Sequence, residues 1–185
     1  MQPPCQSFEA VLATHCAPVL FGKKPAALFP QRCLPDCCNW QQLRLRGFQM
    51  LRLYRGQQPP LIFVYHPRLL QAHLDQELTR HSLEAMGYPT HRDWRAMLAH
   101  LCRRFRLAEA FPHEVGFFLG YPPEDVLGFM TGAEDYKLCG PWKVYGDVDR
   151  AVTRFDEYNA CRRLLLEHLG QGGSIFQGPL PALAG

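Results

Sequence analysis

The tripeptide Gly-Tyr-Pro occurs twice, at 87–89 and at 120–122, and it limits this chain more than any other feature. In each copy the glycine can take the left-handed conformation that ends a helix, and the proline forbids continuation. A helical pattern restarts at once, with "THRDWRAML" after the first copy and "PEDVLGFM" after the second. The two copies are punctuation and not a domain repeat.

Apolar spacing supplies the elements around these stops. Ser7 is placed to cap a first helix in which Phe8, Val11, Leu12 and His15 share one face, and Pro18 is expected to end it. Residues 22–38 read as a connection, with "AALF" at 26–29 as a possible short strand. A short helix around 39–46 follows. "FQMLRLYR" (48–55) and "PLIFVYH" (60–66), separated by turn residues, read as a β-hairpin. From Pro67, Leu70, Leu74, Leu78 and Met86 mark one long helix. Trp94, Met97, Leu98, Leu101 and Phe105 form the clearest amphipathic stripe. A strand over 137–145 precedes a last helix capped by Asp147, with Val148, Ala151, Phe155, Tyr158, Cys161, Leu165 and Leu169 on one side. The expected fold is α+β. A small, mainly antiparallel sheet (hairpin 48–66 plus strand 137–145) packs against about six helices in one domain over 1–169. The Gly/Pro-rich residues 170–185 are expected to be a flexible tail.

Charge and cysteine content narrow the function classes. A net charge of +3 is too mild to imply nucleic acid. The apolar run "LIFVY" at 61–65 is far short of the roughly 20 residues a membrane span needs. The first residues, "MQPPCQSFEA", have no basic and apolar export pattern, so a cytoplasmic location is expected. In a reducing compartment the eight cysteines are core residues, metal ligands or reactive thiolates rather than a disulfide framework.

Cys139 lies in the densest segment, "EDYKLCGPWKVYGDV". Strand alternation over 137–145 sets it beside Lys137, which would favour a thiolate. Pro141 marks an edge or a bulge that could reset that alternation. The plainer account of Cys139 is a small residue in a half-buried strand. His15 and Cys16 close the first helix and are a candidate ligand or base–thiol pair. Neighbours on a helix point about 100° apart, so the pair can share an ion only if the helix ends between them. With Cys161 and Cys139 they have the types of a Cys₃His metal site, although no spacing groups them. Cys33, Cys37 and Cys38, with Cys5 as a possible fourth member, form only one knuckle of a zinc ribbon.

His113-Glu114 begins like a metalloprotease motif, but Phe117 stands where the second histidine belongs. Glu114, and likewise Glu124 and Asp125, fit the first turn of a helix, where acids complement the dipole. A general-base role for Glu114 with His113 is the functional alternative. Lys23 and Lys24 follow Gly22 in a loop able to receive an anion, without the P-loop pattern. Arg92, Arg95, Arg103, Arg104 and Arg106 read as a solvated face.

"HCAPVLFGKKPAALF", "FPHEVGFFLGYPPEDVLGF" and "YKLCGPWKVYGDVDRA", in that order and followed by "FDEYNACRR", resemble a bacterial family known as domain of unknown function 3793. The resemblance runs from about residue 8 to 168, with Pro141 where the family usually has an aromatic residue. The family has no assigned activity. What the resemblance implies is a cytosolic bacterial protein with a redox or iron-handling protein as partner, which favours His15, Cys16, Cys139 and Cys161.

Three functions follow as expectations. The first is an iron- or redox-related accessory protein that holds iron, zinc, an iron–sulfur cluster or a haem-like ligand through thiol and imidazole groups. It requires those groups to converge on a cavity. The second is a non-catalytic interaction adaptor, which requires an exposed apolar patch. The third is an enzyme for an anionic substrate, using Lys23 and Lys24 as anion receptors and His113 and Glu114 as acid–base groups.

Overall fold

The computed structural model describes residues 7–35 and 38–183. Its centre is a three-stranded antiparallel sheet in the order β1-β3-β2, formed by β1 (Ala26–Pro30), β2 (Gln49–Arg55) and β3 (Gln58–Tyr65). The hairpin appears as expected, and "AALF" joins it as the third strand, with Leu28 opposite Phe63. Strand β3 is buried on both faces, which explains its unbroken apolar run. Phe63 and Tyr65 point into one core, and Ile62 and Val64 into another.

Helices cover both faces. On the Ile62–Val64 side lie α1 (Phe8–Leu20) and α8 (Val148–Gly170), with Leu12, Cys16, Cys161 and Leu165 in a common core. On the Phe63–Tyr65 side lie α3 (Pro67–Leu74), α4 (Glu77–Ala85), α5 (Trp94–Leu107), α6 (Val115–Phe118) and α7 (Pro123–Met130). Adding α2 (Trp40–Leu45), the described residues hold eight α-helices around an antiparallel sheet, an α+β architecture. The α5 stripe is buried as its spacing predicts, from Trp94 to Phe105. The two Gly-Tyr-Pro stops also behave as read. Gly87 and Gly120 both adopt positive φ, and each following tyrosine N–H returns to a carbonyl in the helix it ends.

Four local expectations change. Pro18 does not end α1; it lies inside a helix that continues to Leu20. Its missing N–H leaves the Thr14 carbonyl without its helical donor, and Arg162 Nε donates to that oxygen instead, at 3.0 Å. The 67–86 helix breaks after Leu74. The new register in α4 turns Leu78 into solvent and brings Thr79 and Leu83 inside. The single strand 137–145 is a small separate hairpin, β4 (Leu138–Cys139) and β5 (Lys143–Val144), turning at Gly140–Trp142. Pro141 makes that turn. Finally, the segment after Gly170 packs back on the molecule. Ile175 is fully buried, Phe176 stacks on Phe8 at 6.0 Å, and the Glu9 carboxylate accepts from Ser174 Oγ and Ile175 N–H.

Candidate functional site

The β4–β5 hairpin, α6 and α7 enclose a cleft of about 350 Å³. It is built from the second and third of the long sequence motifs. Helix α7 starts at Pro123, after the Pro122 cap position, with proline in the first turn where its absent N–H costs nothing. Gly128 lets α7 approach the hairpin closely. A Cβ there would stand 2.5–2.8 Å from the Tyr145 ring, inside van der Waals contact. On its other side the hairpin rests on α8, where Trp142 meets Phe155 edge-on at 4.5 Å.

Asp125 fixes the hairpin. Its carboxylate is 2% exposed and accepts from Trp142 Nε1 at 2.7 Å, Tyr145 N–H at 2.7 Å and Gly146 N–H at 2.8 Å. Three converging donors replace the water that burial removes, which is the condition for keeping a carboxylate inside a protein. The first-turn position anticipated for Asp125 is correct, but its principal role is tertiary.

The cleft lining is mostly aromatic and aliphatic; besides Tyr121 and Asp125, whose carboxylate is engaged by the hairpin donors, it carries Cys139, Lys143 and His113. Cys139 is exposed and faces Lys143 directly across the hairpin. The turn thus brings Lys143 opposite Cys139, a neighbour that a single strand over 137–145 does not provide. Lys137 instead donates to the Gly146 carbonyl at 2.9 Å. Lys143 Nζ lies over the rings of Tyr136, at 4.5 Å, and Phe129, at 5.9 Å. The exposed His113 ring sits between Phe111 at 5.1 Å and Phe129 at 4.9 Å.

Glu114 is turned away from this lining. It is 3% exposed, accepts from Arg104 Nε at 2.8 Å and from Tyr88 OH at 3.3 Å, and ties α5 to α6. The acid–base pairing of His113 with Glu114 is thus not assembled: one side chain lines the cleft and the other is an internal tie.

The remaining candidates gather where α1 meets α8. Cys16 is fully buried and its thiol is pushed up to about 12 by desolvation, against the pull of the Lys24 charge. Burial also raises the Cys161 thiol. Both are protonated, unreactive core thiols at neutral pH. The half-buried His15 ring stacks on Phe29 at 4.9 Å, and burial, then the Arg162 charge, holds it below the usual histidine range. Because α1 runs on past Pro18, His15 and Cys16 diverge and do not form a chelating pair. Lys23 pairs with Glu157 at 3.4 Å on the surface, whereas Lys24 reaches back over Tyr121 and Tyr158. Neither lysine lines the cleft.

Among the described residues, no three His, Cys, Asp or Glu side chains come together to hold a metal ion. Cys139 lies on the hairpin, while Cys16 and Cys161 lie in the core between sheet and helices. Of the loop cysteines, Cys33 and Cys38 are half-buried, with Cys38 Sγ 2.9 Å from the Pro35 carbonyl; Cys5 and Cys37 lie outside the described residues. The residues not anticipated are Asp125 as the hairpin's anchor, and Lys143, Phe129 and Trp142 as cleft walls.

No helix among the described residues is long and apolar enough to cross a membrane. The fold and the cleft define an α+β protein with a small, largely apolar pocket whose lining includes a thiol, an amine and an imidazole beside the hairpin-bound Asp125 carboxylate. The chain belongs to the family described as "Protein of unknown function (DUF3793)", whose model matches residues 12–177. No curated protein and no solved structure matches it.

Proposed function

We propose that this protein binds a small, flat, largely apolar ligand with an anionic group in the cleft between the β4–β5 hairpin and α6–α7, and that it serves iron or redox chemistry as an accessory protein. One observation carries this reading: Cys139, Lys143 and His113 line a single pocket whose other walls include Phe111, Phe129, Tyr121 and Trp142. Aromatic walls favour a planar ligand, and Lys143 supplies the charge that an anion requires. Cys139 and His113 offer a soft thiolate and a borderline imidazole donor from separate elements, suited to the open positions of a metal already held by the ligand. Iron would then arrive with a haem-like or cluster ligand rather than in an all-protein cage.

Purification without oxygen, followed by iron and zinc analysis and a titration with haemin, tests this reading. A visible band that saturates near one equivalent and is weakened at least about tenfold by Cys139→Ser or His113→Ala supports it, since a metal ligand or its support contributes on that order. Binding that is unchanged in both variants places the ligand elsewhere. A metal-free protein that binds no haemin removes the iron reading. Titration with an anionic naphthalene dye then tests the cleft alone, through Lys143→Met.

A second reading rests on the outer rim. Leu127, Phe129, Met130 and Tyr136 are each 38–42% exposed and lie on α7 and the adjoining loop. That apolar rim suits an adaptor that docks a protein partner beside the cleft. Replacement of Met130 and Leu127 by serine leaves dye binding intact and abolishes partner capture if this reading holds.

A further inference from the structure

Residues 91–107 hold five arginines and a single acid, Asp93, so the whole of the chain's net charge of +3 resides on this short segment. One of the five, Arg104, pairs with Glu114. Among the described residues none of Arg92, Arg103 and Arg106 pairs with a carboxylate, and Arg95 reaches only the exposed Asp93, at 3.5 Å. Helical spacing gathers Arg95, Ala99, Arg103 and Arg106 on one side of α5, since they stand four, four and three residues apart. Two open grooves of about 520 and 460 Å³ run along that side and share Ala99 and Arg103. Trp94, Leu98 and Cys102 line the first with Arg95, Arg103 and Arg106; Ala96 and His100 line the second with Arg92. No carboxylate lines either one. Two of the guanidinium groups are already placed. Arg95 lies over the Trp94 ring at 4.7 Å, and Arg103 Nη2 donates to His100 Nδ1 at 3.1 Å.

We propose that this face of α5 docks an acidic amphipathic helix of a partner protein. The guanidinium forks match carboxylates in shape and charge, and the small side chains of Ala96 and Ala99 let a second helix come close. Leu107, 74% exposed and one turn beyond Arg103, offers an apolar contact at the end of the groove. Length favours a helix over a small molecule. The 14 residues of α5 span about 21 Å, which about four turns of a partner helix would match. Nucleic acid fits less well, because bases need open rings to stack on. Trp94 and Tyr65 are 6% and 8% exposed, and Arg95 lies over the Trp94 ring. The grooves share no residue with the cleft lining, so this inference stands apart from the cleft ligand.

Fluorescence anisotropy with the full chain and a labelled helical peptide of about 16 residues, with glutamate and leucine on one face, tests it. Binding should saturate and weaken at least about tenfold between about 50 and 500 mM salt, as a charge-steered contact requires. A scrambled peptide of the same composition should bind at least about fivefold more weakly, because its acids no longer share a face. Arg103→Glu with Arg106→Glu should weaken binding at least about tenfold. The same charge change at the exposed Arg150 and Arg163 of α8 should leave it within about twofold. Arg106→Gln, which removes charge without adding repulsion, should cost about threefold, and circular dichroism melts verify that each variant is folded. Absence of saturable binding overturns the proposal. An equal loss in the α5 and α8 pairs also overturns it, since net charge alone would then account for binding. Tighter binding of a single-stranded oligonucleotide of equal charge would make the face a nucleic-acid site and overturn it. A dimer in sedimentation that the α5 pair abolishes would assign the face to a second copy of the chain, again against the proposal.

Discussion

Two acidic residues from one sequence motif, Glu114 and Asp125, are buried to nearly the same extent and hold different things. Glu114 is matched by a guanidinium whose side chain is half in water, and the pair fastens one helix to another. Asp125 is matched by three neutral N–H donors, all from the hairpin that carries Cys139 and Lys143. A charge pair with one partner in solvent can be replaced in part by water. A carboxylate inside a ring of neutral donors cannot, because its removal strands every donor at once. The Glu114 region is thus a tie within the scaffold, and the Asp125 region positions the cleft.

The largest effect should follow Asp125→Ala. Loss of three hydrogen bonds to a carboxylate should destabilise the fold by about 4 kcal/mol and lower the Tm by about 10 °C. Trp142 should report it locally through red-shifted emission, as the indole loses its acceptor and its burial. A stability loss with unmoved Trp142 emission would mean that packing against Phe155 and Tyr121 holds the hairpin without the carboxylate. Asp125→Asn should fall between, since its carbonyl keeps one side of the site and its amide opposes donors on the other.

Glu114→Gln should cost less, about 1–2 kcal/mol, because the amide oxygen still accepts from Tyr88 or Arg104 and water takes up the freed guanidinium. Chemical denaturation of the two variants side by side sets the order. A larger loss in Glu114→Gln than in Asp125→Ala would reverse the contrast and make the α5–α6 tie the principal anchor.

The difference between these regions is also why one was harder to read from the chain. Periodicity located α1, the β2–β3 hairpin, α5 and α8, because one apolar face recurs along each at its own spacing. The Gly-Tyr-Pro stops were legible because positive φ after a helix is a local requirement that glycine meets. Asp125 gave no such signal. Its donors come 17, 20 and 21 residues later, and a first-turn acid before them is explained without any partner. Arg104 was hidden in the same way, since one arginine among four on α5 gives no sign that it pairs with a buried acid. The 137–145 segment misled through Pro141. A proline inside an apolar alternation is compatible with a bulged strand and with a turn, and only the turn sets Lys143 opposite Cys139. The tail misled through composition, because Gly and Pro mark irregular backbone and do not distinguish a free end from one pinned by Ile175 and Glu9.

The smallest effect, and the one that separates the two regions most selectively, should come from mild acid. His100 packs on the Tyr88 ring at 4.4 Å, and Tyr88 donates to Glu114. His73, on α3 against α6, bonds to the Phe117 backbone while its buried Nε2 has no partner among the described residues, so a second proton there would enter an unsatisfied site. Burial is the main cause that holds both rings below 6.5. Their folded forms therefore bind fewer protons than the unfolded chain near pH 6. Stability is then complete above 6.5 and declines as pH falls from 6.5 through the depressed folded values. His15 acts in the same direction on the α1 side. Urea midpoints at pH 7.5 and 5.5 should show this decline, and His73→Gln should flatten it. Trp142 emission, which reports the Asp125 region, should hold across the same interval. A decline that appears equally in Trp142 emission before global unfolding would show that the two regions titrate together and are mechanically one.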